Sequence, residues 1–424
     1  ESGMNVKFRG ILLFAGIFAL FIIGVDSSGQ ENRMRFEELS IEEGLSQTIV
    51  YSIAQDNDGF MWFATEDGLN RYDGYHFSII QNDPEDQTSL GYNHILCIFF
   101  DSRGILWIGT FQKGLDRYDS ENDVYIHYRF NKDDPSTISH DIINCIHEDS
   151  DGDIWVGTNN GINRFDFSTG TFTRYLPDPD DPESLGEGRV MTICHCSGGF
   201  IWAGTDGGGL CRLDPKTGKF KNFVNEPDNS ASLPHNSVAA LHQDSHGNLW
   251  IGTNGGGVSK LDRKTGAFRN YEADPDDPDR LNNPAVFAIH EDSNGIIWLG
   301  TNGGGLSRFD PETGKFFSFV NEPNDPTSIS YNEIYDIYED RSGVIWLGTY
   351  GGGVNKFDLK RKKFVHFRYD PNRSNSLGHP IVWSILEDEP GKLWIGTHGG
   401  GLDFLDRATG KYTNYRNDPD DPYS

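Results

Sequence analysis

Ile297-Trp298-Leu299-Gly300-Thr301-Asn302-Gly303-Gly304-Gly305-Leu306 decides the fold, because it is one copy of a phrase that the chain repeats. Val286 and Ile289 precede it, then the turn Asp292-Ser293-Asn294-Gly295; Asp310, Thr313-Gly314 and Phe316 follow. Its tryptophan recurs as Trp62, Trp107, Trp155, Trp202, Trp250, Trp298, Trp346 and Trp394, at spacings of 45 to 48 residues. A unit of that length with four short strand signals is the signature of a propeller blade.

Each strand can be placed from residue type and turn chemistry. Twelve residues before each Trp stands Val or Ile, and nine before it Ile or Leu, which marks an inner strand A that is apolar on both faces. A D-x-x-G turn follows, in which Asp bonds its own backbone and Gly supplies a positive φ. Strand B carries the Trp as the large filler between blades. A Gly-rich loop leads to strand C, a Thr-Gly turn to strand D, and an acidic Pro-rich connection such as Asp274-Pro275-Asp276-Asp277-Pro278 to the next strand A. The expected fold is therefore all-β, a propeller of four-stranded blades. Its eight repeats allow either an eight-bladed ring or seven blades plus the first blade of a second ring.

Composition agrees. Gly is 50 of 424 residues and no amphipathic helical period stands out. The formal net charge of −28 repels phosphate, so nucleic acid is not an expected partner. Residues 1–33 read differently from the rest. Glu1 to Gly3 precede Met4 as an upstream remnant, and Lys7 and Arg9 precede an uncharged apolar run, Ile11 to Val25, that suits a secretory signal. The repeats at 34–424 are then expected outside the cytoplasm. The chain stops inside a repeat, as expected of an N-terminal portion of a longer protein.

Catalytic and metal motifs do not assemble. The Gly-rich loops lack the Lys-Ser/Thr and the helix of a phosphate cradle. Asp56-Asn57-Asp58-Gly59 lacks the remaining ligands of a calcium loop, and no G-x-S-x-G elbow is present. Cys97 and Cys145 fill a small-residue slot of strand A. Cys194 and Cys196, two apart, read as small strand residues, because zinc pairs normally have two intervening residues and a second ligand pair. An odd count, completed by Cys211, argues against a disulfide framework. No cofactor is expected.

What varies from blade to blade is where specificity can be written. Fifteen residues before each Trp, at the entrance to strand A, stand Gln47, Tyr92, His140, Glu187, His235, Asn283, Tyr331 and His379. Four residues after it, opening the B-to-C loop, stand Glu66, Phe111, Asn159, Asp206, Asn254, Asn302, Tyr350 and His398. With strand A innermost, both registers open on one face. Their mixture of rings, amides, carboxylates and imidazoles suits a polar, hydroxyl-rich ligand such as an oligosaccharide. The competing reading is a solvated loop surface with no ligand.

The opening run Phe36-Glu37-Glu38-Leu39-Ser40, Glu43-Gly44-Leu45-Ser46-Gln47, Gly59-Phe60-Met61-Trp62 and Asp67-Gly68-Leu69-Asn70-Arg71-Tyr72-Asp73 resembles the two-component regulator propeller family, and the later repeats resemble its blades. The resemblance covers Arg35 to Ser424. It implies the periplasmic sensor half of a membrane protein, usually with two seven-bladed propellers, then a β-sandwich, a transmembrane helix and a histidine kinase or other output, and it admits a homodimer of the intact sensor. On that footing the chain is expected to sense a small molecule or oligosaccharide and to reach the membrane through a segment beyond these residues. It is not expected to be an enzyme. Two other classes remain: an extracytoplasmic propeller lyase or hydrolase, for which His140, Glu187 and His235 are the set to test, and a protein-interaction platform.

Overall fold

A computed structural model describes residues 34–424 except 197, 264, 360–366, 368, 372–374, 408 and 422–424. The leader read at 1–33 lies outside the described residues. The chain divides into two compact units, the first ending at Leu359.

Eight antiparallel four-stranded sheets are present. In the first unit, blades 1 to 6 each run A-B-C-D in chain order, as in blade 6 with Val286–Glu291, Ile297–Thr301, Leu306–Phe309 and Phe316–Phe319. Blade 7 takes strands A to C from Ile334–Glu339, Val344–Thr349 and Val354–Asp358. Its fourth strand is the N-terminal Glu37–Leu39, paired as Glu37↔Lys356 and Leu39↔Val354. The A strands of successive blades contact one another all round, including blade 7 with blade 1. The ring therefore closes with seven blades, and strand A is innermost. The eighth sheet, beginning with Val382–Glu389, belongs to the second unit.

The core lies at the seams between blades. Strand B is buried along its whole length in blades 1 to 3, 5 and 6. Each Trp of the ring packs into the next blade: Trp107 sits with Ile154, Val156 and Phe165, Trp298 with Ile345 and Phe357, and Trp346 with Phe63 and Tyr72. Truncating so large a buried side chain costs about 3–5 kcal/mol. The D-x-x-G aspartate serves this core as well as its turn. Its Oδ2 accepts the indole N–H at 2.8 Å in blade 1, 3.1 Å in blade 2 and 2.9 Å in blade 6. Blade 4 has Cys196 in place of that Asp, and the buried Nε1 of Trp202 has no partner among the described residues.

Every strand A carries a bulge one residue after its first Val or Ile, as between Val50 and Ser52, where Val50 pairs with Thr65 and Ser52 with Ala64. The extra residue, Tyr51 in blade 1 and Tyr335 in blade 7, has no partner on strand B and leaves the alternation.

Candidate functional site

The two variable registers do share a face, and the backbone shows why. In each B-to-C loop of blades 4 to 7, two glycine N–H groups donate to one carbonyl at the strand A entrance of the following blade. Gly303 and Gly305 bond Asn332 O at 3.1 and 2.8 Å, and Gly351 and Gly353 bond Thr48 O at 3.2 and 2.8 Å across the closing seam. The latter pair repeats at the blade 7–blade 1 boundary what holds elsewhere. Glycine is required here: Gly353 has φ +67°, and a Cβ would lie 2.4 Å from Leu39 O.

Much of the variation fifteen residues before each Trp has a local cause. His140 Nδ1 accepts the N–H of Ile142 at 2.9 Å, His235 Nδ1 that of Ser237 at 3.1 Å, and Asn283 Oδ1 that of Ala285 at 2.9 Å. These side chains close an Asx-like turn at the strand entrance. An imidazole that accepts through Nδ1 carries its proton on Nε2, so His140 and His235 keep an N–H donor at that atom. The side chains also lie over their own Gly-rich loop, His235 against Gly255 and Tyr331 against Gly351. Tyr92 makes only a 3.5 Å contact with Gln112, and Tyr331 is 41% exposed.

The register after the Trp divides the mouth in two. On blades 4 and 5, Asp206 pairs with Arg189 at 3.0 Å and accepts from Ser237 Oγ at 2.6 Å, and Asn254 bridges to Ala285. Asn302 makes the same bridge to Glu333, and Glu187 stands beside Gly208 of its own loop. On blades 6, 7, 1 and 2 the mouth is aromatic. Phe287 meets Tyr335 at 5.4 Å between centroids, Tyr335 stacks on Tyr350 at 5.3 Å, Tyr51 meets both, His94 stacks on Tyr51 at 5.5 Å, and Phe111 stacks on His94 at 4.7 Å. Tyr350 and Phe111 close this arc with more than a third of their surface exposed.

Polar atoms are set into the arc. Tyr51 Oη donates to Glu66 Oε1 at 2.9 Å, and His94 Nε2 lies 3.9 Å from the same oxygen, buried and without a hydrogen-bond partner among the described residues. Burial, reinforced by the Glu66 hydrogen bond, pushes the Tyr51 phenol far up. His94 is held below the ordinary imidazole value because burial outweighs attraction to Glu66. Burial, then Glu333 and Tyr350, raise Tyr335. Arg189, on blade 4, acts electrostatically on Tyr335 of blade 7.

Sequence reasoning named Tyr350 and Phe111 and missed Tyr51, His94, Phe287 and Tyr335, which complete the arc. Three of these four are bulge residues, and a strict two-residue period sends them elsewhere. His379 and His398 do not belong to the ring. They lie on the eighth sheet, in the second unit, 5.8 Å apart between centroids, with His398 5.7 Å from Trp383.

Comparison with known proteins agrees with this geometry. The family described as two component regulator propeller matches at residues 44–67, 89–112, 137–160, 232–255, 280–303, 328–351 and 376–399. Histidine kinase P4 of Formosa agariphila is 39% identical over 82 residues, covering 19% of this chain and 6% of that protein. The extracellular domain of BT3049 from B. thetaiotaomicron, described as a hybrid two component system, superimposes with a TM-score of 0.68 at 29% identity over 91% of this chain and 49% of its own. The extracellular domain of BT4673 from the same organism, described as a one component system, gives 0.61 at 22% identity over 90% and 54%, a likeness of fold. The chain thus spans about half the length of these solved domains. With seven closed blades, a repeated Trp-centred phrase and matches from residue 44 to 399, the chain belongs to the two-component regulator propeller family.

Proposed function

We propose that this ring is the ligand-sensing part of an extracytoplasmic input domain in a membrane-bound two-component signalling protein, and that its ligand is a neutral oligosaccharide bound at the mouth. One observation carries the reading: the continuous arc Phe287, Tyr335, Tyr350, Tyr51, His94 and Phe111, with Glu66 and the unpaired His94 Nε2 inside it. Sugar C–H faces stack on such rings while hydroxyls exchange hydrogen bonds with carboxylate and imidazole. Charge supports a neutral ligand. The strand A entrances and B-to-C loops carry Glu66, Glu187, Asp206 and Glu333 against Lys113 and Arg189, the latter already held by Asp206, so a uronate or sulfate would meet net repulsion.

Titration calorimetry of the folded protein against neutral and uronate-containing oligosaccharides tests this. Binding of a neutral sugar that Tyr335→Ala and Tyr350→Ala each weaken supports the reading. Preference for the acidic series, or affinity unchanged in both variants, overturns it.

The eighth sheet fits the first blade of a second ring. Its strand A is exposed throughout, with Ile385 at 63% where the corresponding Ile337 of blade 7 is at 6%. We infer that the output, the membrane segment and any homodimer contact lie outside the described residues. The lyase reading finds little support, since His140 and His235 spend Nδ1 on backbone N–H groups.

A further inference from the structure

We propose that Cys194 and Cys196, at the end of the inner strand of blade 4, are a redox-modification site that hydrogen peroxide converts into an intrastrand disulfide. The two Sγ atoms lie 3.5 Å apart, and residues two apart on a strand project from the same face. A bond needs them at about 2.05 Å, with Cβ atoms about 3.5–4.5 Å apart, closer than same-face neighbours on a regular strand stand, so closure requires the strand end to bend. Cys196 is the last residue of its strand, Val190–Cys196, and the turn beyond it contains Gly198 and Gly199, both at positive φ, so the backbone there has room to adjust.

Peroxide has one point of approach: Cys194, 8% exposed, lines a cavity of about 390 Å³ with His147, His195, His242 and Asp244, while Cys196 is fully buried behind it. The hydrogen bond shared with the Cys196 thiol, the Gln243 N–H facing it and the Arg263 charge together outweigh burial and favour the thiolate at Cys194. The other cysteines differ. Burial pushes Cys145 up to about 12, Cys211 up to about 11 and Cys97 well above the usual thiol range. Cys196 also gives up the bond that the equivalent Asp makes elsewhere, leaving the Trp202 indole unpaired.

The steps balance. The Cys194 thiolate attacks one oxygen of peroxide, the O–O bond breaks, and a sulfenic acid forms while hydroxide leaves and takes a proton to become water. The Cys196 sulfur then attacks Sγ of Cys194, the S–O bond breaks, and the departing hydroxide leaves as a second water with the Cys196 proton. Two thiols lose two electrons and one peroxide is reduced to two waters. An extracytoplasmic location, where thiols are not kept reduced, comes from the reading above. The chemistry itself is testable on purified protein and can fail independently of ligand binding.

The reduced folded protein is treated with stoichiometric peroxide, then denatured, alkylated and mapped by mass spectrometry. The expected result is a peptide carrying Cys194 and Cys196 that has lost two hydrogens and is alkylated about tenfold less, while Cys97, Cys145 and Cys211 are alkylated as before. Cys196→Ser, checked for native circular dichroism, should instead accumulate a dimedone-trappable sulfenic acid at Cys194. Full alkylation of both residues after peroxide, a link to one of the other three cysteines, or no sulfenic acid in the folded Cys196→Ser variant would overturn the proposal.

Discussion

Ile53 of blade 1 donates its backbone N–H to Asp336 Oδ2 of blade 7 at 2.7 Å, a carboxylate tie across the seam that closes the ring. Blades 2 to 6 have Cys, Thr or Ala at this position, and in blade 1 Ser52 Oγ accepts the equivalent Ile98 N–H at 3.3 Å, so it is the carboxylate that is particular to the closing seam. Asp336 Oδ1 also accepts from Ile337 N–H at 2.9 Å. Burial outweighs these bonds and raises the carboxyl to about 6. A carboxyl whose folded value lies above its unfolded one favours the fold most when protonated. That contribution is complete below the unfolded value of 3.8 and disappears as pH rises through about 6. Urea unfolding should therefore show about 1–3 kcal/mol lost from this group between pH 4 and pH 7, and Asp336→Asn should flatten that dependence. Asp336→Ala leaves the Ile53 N–H unpaired and should cost about 1–3 kcal/mol. An unaltered pH profile in Asp336→Asn would contradict the assignment.

The N-terminal strand is the other half of closure. Phe36 is buried between Phe357 at 5.1 Å and Phe319 at 6.1 Å, and its N–H donates to Thr327 O at 2.9 Å. Phe36→Ala should lower stability by about 3–5 kcal/mol, as for a truncated core aromatic. Hydrogen exchange should then speed up on strand C of blade 7, Val354–Asp358, which loses its ordered neighbour. Uniform loss of protection across all seven blades would mean that the ring opens only as a whole.

The bond between the turn Asp and the indole predicts opposite results in two blades. Asp292→Ala removes the acceptor 2.9 Å from Trp298 Nε1 and the partner of the Asn294 and Ile296 N–H groups, at a cost of about 1–3 kcal/mol or more. Cys196→Asp supplies the missing acceptor to Trp202 and should raise the urea midpoint, by about 1 kcal/mol of stability. A fall in midpoint for Cys196→Asp would show that the pocket at blade 4 no longer fits a carboxylate.

These particulars mark how far the sequence carries. The Trp period and the Val/Ile and Ile/Leu positions of strand A are dictated by packing, so strand order, seams and the shared face of the two loop registers were legible. Seven blades against eight was not, because Glu37–Leu39 is a short strand whose pairing with Val354–Asp358 spans the whole ring. The partnership of Asp292 with Trp298 was hidden behind the turn role of the same carboxylate. At the mouth, the capping bonds of His140 and Asn283 were not legible, since a side chain that bonds its own backbone shows the same residue types as one that meets a ligand. Tyr51, Phe287 and Tyr335 were missed because the bulge takes them out of the two-residue period.

His94 separates packing from recognition at the mouth. Its ring is stacked between Tyr51 and Phe111, at 5.5 and 4.7 Å, while its Nε2 makes no hydrogen bond within the described protein. Replacing it with Phe preserves the stack and removes the ring nitrogens, Nε2 among them. His94→Phe should therefore hold stability within about 1 kcal/mol and weaken a mouth-bound sugar about tenfold, the worth of one hydrogen bond at the upper end of its usual range. His94→Ala loses both stacks and should lower the melting temperature as well as affinity. Because burial depresses the His94 imidazole, the folded ring favours its neutral form. Its contribution to stability is present above the unfolded histidine value and falls as pH drops toward the lower folded one, a dependence that His94→Phe removes. Calorimetric titration of the three proteins with the same oligosaccharide checks all of this. Unchanged affinity in His94→Phe would place sugar recognition on the Arg189–Asp206 side of the mouth instead.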